Sequence, residues 1–209
     1  MEIIRDNYSE ALRNEIRNNN SNSELLKSNL IKLGKQIGEK ITKKYYLDKK
    51  DFVTPMGFSV TDIYPNYDKI AVVSTKDDYE FFGKGISDVF PNVVQGQMDF
   101  GGNRGLKALS SPLRSVTLPD AHKINTLIIA KSVLATGCTA ITLTEKSIQK
   151  YWPERVIVSA IFYTKQGVIE LSEKFKSIEI IVIGDPDNLD RDGYLIPGVG
   201  DLDKRVSAN

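Results

Sequence analysis

Asn125-Thr-Leu-Ile-Ile-Ala-Lys-Ser-Val-Leu-Ala-Thr-Gly-Cys-Thr139 is the stretch that decides the fold. Leu127, Ile128, Ile129 and Ala130 form an unbroken apolar run, the mark of a strand covered on both faces in an α/β sheet. Ala135, Thr136, Gly137, Cys138 and Thr139 follow as a turn of small residues. Gly137 lets the backbone turn and approach an anion, the threonine hydroxyls can donate, and a following helix would aim its free N–H groups at the same point. A phosphate cradle and an ordinary tight turn both fit these residue types.

Outward from that junction, strands and helices alternate. Lys69–Thr75 reads as a strand, Asp77–Val89 as a helix and Asn92–Met98 as a strand. Beyond the turn, Ala140–Trp152 reads as helix, Arg155–Phe162 as strand, Gln166–Phe175 as helix and Ile178–Ile183 as strand. This alternation predicts βαβ crossovers and a mainly parallel sheet flanked by helices, with ligands outside the carboxyl ends of its strands. Residues 101–119, rich in Gly, Ser and Pro, read as one long loop. Tyr8–Arg17 has an amphipathic helical pattern. Leu26, Leu30, Leu33, Ile37 and Ile41 form one stripe of a second helix, with Ser23 as its expected cap. Phe52, Val53, Phe58, Val60 and Ile63 around Pro55-Met56-Gly57 predict a hairpin over Asp51–Tyr64.

With 209 residues, the chain is sized for one substantial core. Its 28 basic and 27 acidic residues leave a formal charge of +1, which gives no electrostatic case for nucleic acid or an anionic membrane as partner. The lone cysteine, Cys138, rules out an internal disulfide framework and fits a reducing, cytoplasmic compartment. Met1–Arg13 is charged and polar rather than signal-like, and no apolar stretch has the length of a membrane span.

Two segments carry a resemblance. Leu134-Ala135-Thr136-Gly137-Cys138-Thr139 and Gly193-Tyr194-Leu195-Ile196-Pro197-Gly198-Val199-Gly200-Asp201 resemble the uracil phosphoribosyltransferase family. That family has an Asp-Pro-Met-Leu-Ala-Thr-Gly-Gly-Ser loop for the 5′-phosphate and a Gly-Tyr-Ile-Val-Pro-Gly-Leu-Gly-Asp hood for the base. The resemblance implies a type I phosphoribosyltransferase-like α/β domain over residues 1–209. Residues 1–50 would be its N-terminal helical segment, 51–66 a β-arm for homodimer contacts, 67–184 the core and 185–209 the hood. It further implies a nucleotide or phosphoribosyl ligand, with Ala135–Thr139 at the phosphate and Tyr194, Ile196, Gly198, Gly200 and Asp201 at the base. The competing reading of 193–200 is a turn selected for Gly and Pro geometry.

The departures from the family are concentrated at one end of the site. A gapless alignment puts Asp77 where the family has its pyrophosphate-binding arginine, Asp78 on an alanine, and Tyr79 and Phe81 on two glycines. Lys131 replaces the family's ribose- and metal-directed aspartate, and Ser132 a proline. An arginine has become an acid and an acid a lysine, which predicts an ion pair of Lys131 with Asp77, and with Asp78 beside it; the alternative leaves both side chains in solvent. Asp203 or Lys204 falls on the family's second acidic position, depending on a gap, so Lys131 and Asp203 are the candidate catalytic groups. Mg²⁺ is the metal the resemblance implies, yet its family contacts are altered, and no metal ligand is assigned. Asp99 matches the aspartate of a Tyr-Arg-Asp element with Met98 in place of the arginine. His122 lies in a polar stretch and carries no assigned role; Cys138 reads as a small residue chosen for fit. Asp185, Asp187, Asp190 and Asp192 read as a solvated acidic loop or one that attracts a cation.

Three functions are compatible with these residues. One is an enzyme making or cleaving a UMP-like nucleotide at an altered leaving-group site. The others are an inactive nucleotide-binding protein and ordinary uracil salvage, which needs the altered pyrophosphate machinery.

Overall fold

The computed structural model describes residues 1–121, 123–191 and 193–208. His122 and Asp192 lie outside the described residues.

The apolar runs form the strands of a seven-stranded sheet. In chain order these are β1 (Glu2–Ile4), β4 (Ile70–Thr75), β5 (Val94–Asp99), β6 (Ser115–Thr117), β7 (Thr126–Ala130), β9 (Arg155–Ala160) and β11 (Glu179–Ile183). They lie in the order β1-β11-β9-β7-β4-β5-β6, with every neighbour parallel except the β5–β6 pair. The strand read from Leu127–Ala130 is therefore the central one, and all five of its residues are buried. Strand order reverses between β4 and β7, and such a reversal opens a crevice at the carboxyl ends of the two strands.

Alternation along the strands divides the core. Ile128 and Ala130 face one layer, made with α1 (Asn7–Arg17), α2 (Ser23–Tyr45), α4 (Lys84–Ser87) and α8 (Leu202–Ser207). Leu127 and Ile129 face the other, made with α5 (Leu106–Ser110), α6 (Cys138–Tyr151) and α7 (Lys165–Lys174). The stripe Leu26, Leu30, Leu33, Ile37 and Ile41 is buried as its spacing requires. Asn22, rather than Ser23, caps α2, its side chain accepting from the Leu25 amide. The α2 backbone lies so close to the next helical segment that a Cβ on Gly85 would sit 2.2 Å from the Ile31 carbonyl oxygen.

Four local expectations change. Helix Asp77–Val89 is instead α3 (Lys76–Asp78), a π-helical turn at Tyr79–Gly83, and α4. The stretch read as a loop, 101–119, contains α5 and the edge strand β6. Its short runs are stabilised by neighbours, with Ala108 buried and β6 paired to β5, so local composition misleads there. β1, absent from the reading, completes the opposite edge. The hairpin, β2 (Leu47–Val53) with β3 (Ser59–Pro65), begins before the Asp51 boundary because Leu47 pairs with Pro65. Short ladders join β8 (Val133–Leu134) to β10 (Phe162–Tyr163) and β12 (Asn188–Leu189) to β13 (Leu195–Ile196). Among the described residues no helix is long and apolar enough to cross a membrane.

Candidate functional site

A cavity of about 370 Å³ opens at the crevice between β4 and β7. Its wall comes from the segment after β4 (Thr75, Asp77), the loop after β5 (Phe100–Gly105), the segment after β7 (Lys131–Ala140) and the strip 193–203. All five residues of the sequence-predicted cradle, Ala135, Thr136, Gly137, Cys138 and Thr139, line it.

The cradle's shape follows from Gly137. Its φ of 81° is left-handed, a conformation glycine adopts without a Cβ penalty, and it immediately precedes the first turn of α6. No side chain caps that helix, so its leading N–H groups and the positive end of its dipole face the cavity. The loop is fixed from behind. Thr164 donates its hydroxyl to the Ala135 carbonyl at 2.6 Å, and a Cβ on Gly167 would lie 2.5 Å from that same oxygen.

At the other end of the cavity the predicted charge exchange brings Lys131 to Asp78. Its ammonium lies 2.6 Å from the Asp78 carboxylate, with side-chain exposures of 14% and 4%. Asp77 stands beside this pair and lines the cavity, but it is not the bonded partner expected from alignment. The difference is local geometry. Thr75 caps α3 and donates its hydroxyl to Asp78 at 2.9 Å, turning that carboxylate inward while Asp77 remains exposed. Burial alone would push the Lys131 ammonium down, but the carboxylates of Asp78, Asp203 and Asp77 outweigh it and hold its pKa above the usual lysine value. Burial pushes Asp203 up, aided by Asp78 and Asp77 and opposed by Lys131 and Arg104.

Arg104 is the site residue that sequence reasoning missed. It reaches from the loop after β5 to Asp201 at 3.0 Å and Asp203 at 2.7 Å. The available signal was a lone arginine within Gly101-Gly102-Asn103-Arg104-Gly105, but a glycine-rich loop does not say which carboxylate its arginine meets.

Of the predicted hood residues, Tyr194 and Gly200 line the cavity, as do Leu195 and Val199. Ile196, Gly198 and Asp201 are not among its described lining residues. Gly198 offers its carbonyl to Arg17 at 3.2 Å, and Asp201 caps α8 by accepting from the Lys204 amide. Asp203, on the first turn of α8, is in the wall. Met98 is buried in the sheet, while Asp99 accepts from the Gly101 amide and pairs with Lys76. The loop acids Asp185 and Asp187 serve Arg5 and Arg17 respectively, and the Asp190 side chain accepts from the Tyr194 amide.

The family model described as uracil phosphoribosyltransferase matches residues 3–206. The chain belongs to the uracil phosphoribosyltransferase family. The uracil phosphoribosyltransferase of Natronomonas pharaonis is 25% identical over 198 residues, covering 92% of this chain and 89% of that protein. That of Thermococcus sibiricus is 29% identical over 193 residues, covering 92% and 82%. Among solved structures, the AQ2163 protein from Aquifex aeolicus matches with a TM-score of 0.82 at 26% identity, over 98% of this chain and 97% of its own. The α/β architecture, with its mainly parallel sheet, is that of the type I phosphoribosyltransferases.

Proposed function

We propose that this chain binds a uracil-type base joined to a 5-phosphoribosyl group, a UMP-like nucleotide, and makes or breaks the bond between them at a leaving-group site changed from the family's. At the level of the family its chemistry is uracil phosphoribosyl transfer. Such transfer requires a grip on the 5′-phosphate, stabilisation of positive charge at the sugar C1′, neutralisation of the leaving pyrophosphate and presentation of the base. The uncapped N-terminus of α6 and the Thr136 and Thr139 hydroxyls suit the first task. Tyr194, Leu195 and Gly200 stand in the same wall and suit the last.

The single observation that carries the change is that both cations of the described wall, Lys131 and Arg104, are already ion-paired, to Asp78 and to Asp201 and Asp203. Asp77 adds a further carboxylate. A negative charge on the ligand about 4 Å from one such carboxylate is disfavoured by about 4 kcal/mol at an effective dielectric of about 20, and a diphosphate carries several. Mg²⁺ at a phosphate site is held by one or two carboxylates together with the ligand's own phosphates. Here Asp78 and Asp203 are each bonded to a cation of the wall, which leaves Asp77 as the wall carboxylate without an ion pair among the described residues. The exposed apolar side chains of the hairpin, Val53, Phe58 and Ile63, support the reading of that arm as the contact with a second copy.

The test is calorimetric titration of UMP into the wild-type chain and into Thr136→Glu, with an assay of UMP formation from uracil and phosphoribosyl pyrophosphate. The reading expects UMP binding that the acidic variant abolishes, and little or no pyrophosphate-coupled synthesis. Equal UMP affinity in both chains places the site elsewhere. Efficient Mg²⁺-dependent synthesis restores ordinary salvage.

A further inference from the structure

We propose that water is the nucleophile at this site: the chain hydrolyses the N-glycosidic bond of a pyrimidine nucleoside 5′-monophosphate, with the Asp77 carboxylate taking the water proton. This rests on the reading above, that the cavity holds a UMP-like nucleotide.

Asp77 differs from the other acids around Lys131. Asp78 is buried and bonded to Lys131, and Asp203 is bonded to Arg104, whereas Asp77 is exposed and makes no ion pair among the described residues. It also stands where two cavities meet. A second cavity of about 310 Å³ shares Asp77, Leu202 and Asp203 with the first. Lys76, Gln97 and Glu80 make much of its remaining lining polar, the kind of chamber in which water finds hydrogen-bond partners. One side of Asp77 therefore faces the nucleotide cavity and the other a polar chamber.

The unpaired Asp77 carboxylate, which opposes a diphosphate, has the opposite effect on this chemistry. Breaking a glycosidic bond builds positive charge on the sugar, which nearby carboxylates stabilise, and a free carboxylate can orient a water and accept its proton. In the step, a water O–H bond breaks and its proton passes to Asp77 while the water oxygen bonds to C1′. The C1′–N1 bond breaks, its electron pair leaves on N1 of the base, and the base takes up a proton from solvent. The products are the free pyrimidine base and ribose 5-phosphate; no metal, oxidant or pyrophosphate enters the balance.

The full-length chain is incubated with UMP in buffer free of pyrophosphate and phosphoribosyl pyrophosphate, and uracil and ribose 5-phosphate are quantified. UMP affinity is measured in parallel by calorimetry. The proposal expects equal amounts of the two products, and at least a roughly 100-fold slower release in Asp77→Asn with UMP affinity held within about twofold. A chain that binds UMP but yields no uracil, or yields it only when pyrophosphate is added, overturns hydrolysis and leaves nucleotide binding standing. Absence of UMP binding overturns both. Undiminished release in Asp77→Asn overturns the role of that carboxylate.

Discussion

The Lys131–Asp78 pair joins two segments that were far apart in sequence, and its partner choice shows what a sequence conveys and what it omits. An acid at the arginine position and a lysine at the aspartate position are visible in residue types, so a charge exchange was legible. Which of two adjacent carboxylates turns inward depends on the Thr75 cap, a three-dimensional detail that alignment cannot supply. Lys131→Ala leaves Asp78, only 4% exposed, without its cation, and is expected to destabilise the chain by about 3–5 kcal/mol, measured by urea unfolding. Lys131→Ala with Asp78→Ala is expected to recover much of that loss. The pH dependence has a definite sign. Because the folded state raises the Lys131 pKa, its contribution is fully present below the ordinary value of 10.5 and is lost as pH rises through the higher folded value. The stability difference between wild type and Lys131→Met should therefore be flat from pH 7 to 9 and shrink only above 10.5; shrinkage nearer neutrality contradicts a raised value.

At the scale of elements, the cradle is the strand–turn–helix unit of β7 and α6, closed from behind by α7. The buried strand and the Gly137 turn were legible because four apolar residues and a glycine state them locally. The close approach of Gly167 to Ala135 was not, since nothing near Gly167 announces which backbone it touches. Gly167→Ala puts a Cβ 2.5 Å from a carbonyl that cannot swing away, so the loop must shift. We expect UMP affinity to fall about tenfold or more, equivalent to about 1.4 kcal/mol, with the far-ultraviolet circular dichroism unchanged. Unaltered affinity would show that the cradle does not depend on its contact with α7. The edge elements β1 and β6 escaped the reading because three-residue strands exist only through their partners, Ile181–Ile183 and Gln97–Asp99.

At the scale of the whole molecule, the first helix holds the last segments in place. Arg17 binds the Asp187 carboxylate at 2.7 Å and the Gly198 carbonyl, Arg13 binds the Asp185 carbonyl, and both guanidiniums stack over Phe162. Arg205 answers from α8, donating to the carbonyls of Ile16 and Asn18. Every one of these contacts spans more than about 140 residues and has no local signature, so the amphipathic pattern of Tyr8–Arg17 showed a helix but not its partners. Arg17→Ala strands the buried Asp187 carboxylate and loosens the 185–200 strip. It is expected to lower the thermal midpoint and to weaken binding of uracil-bearing ligands more than that of ribose 5-phosphate, checked by calorimetry on both. The hairpin projects Val53, Phe58 and Ile63 into solvent, and the proposed pairing of two copies through this arm predicts a wild-type sedimenting mass of two copies that Phe58→Lys with Ile63→Lys reduces to one. A single-copy mass for the wild type, or a mass that the double substitution leaves unchanged, contradicts that proposal. The central claim is that one end of the cavity receives a phosphate while the other, with Lys131 and Arg104 already paired, rejects a diphosphate. It is tested most directly by titrating UMP and phosphoribosyl pyrophosphate into the chain with and without Mg²⁺. The prediction is that UMP binds more tightly and that Mg²⁺ changes neither affinity; Mg²⁺-dependent binding of the diphosphate donor tighter than that of UMP would contradict it.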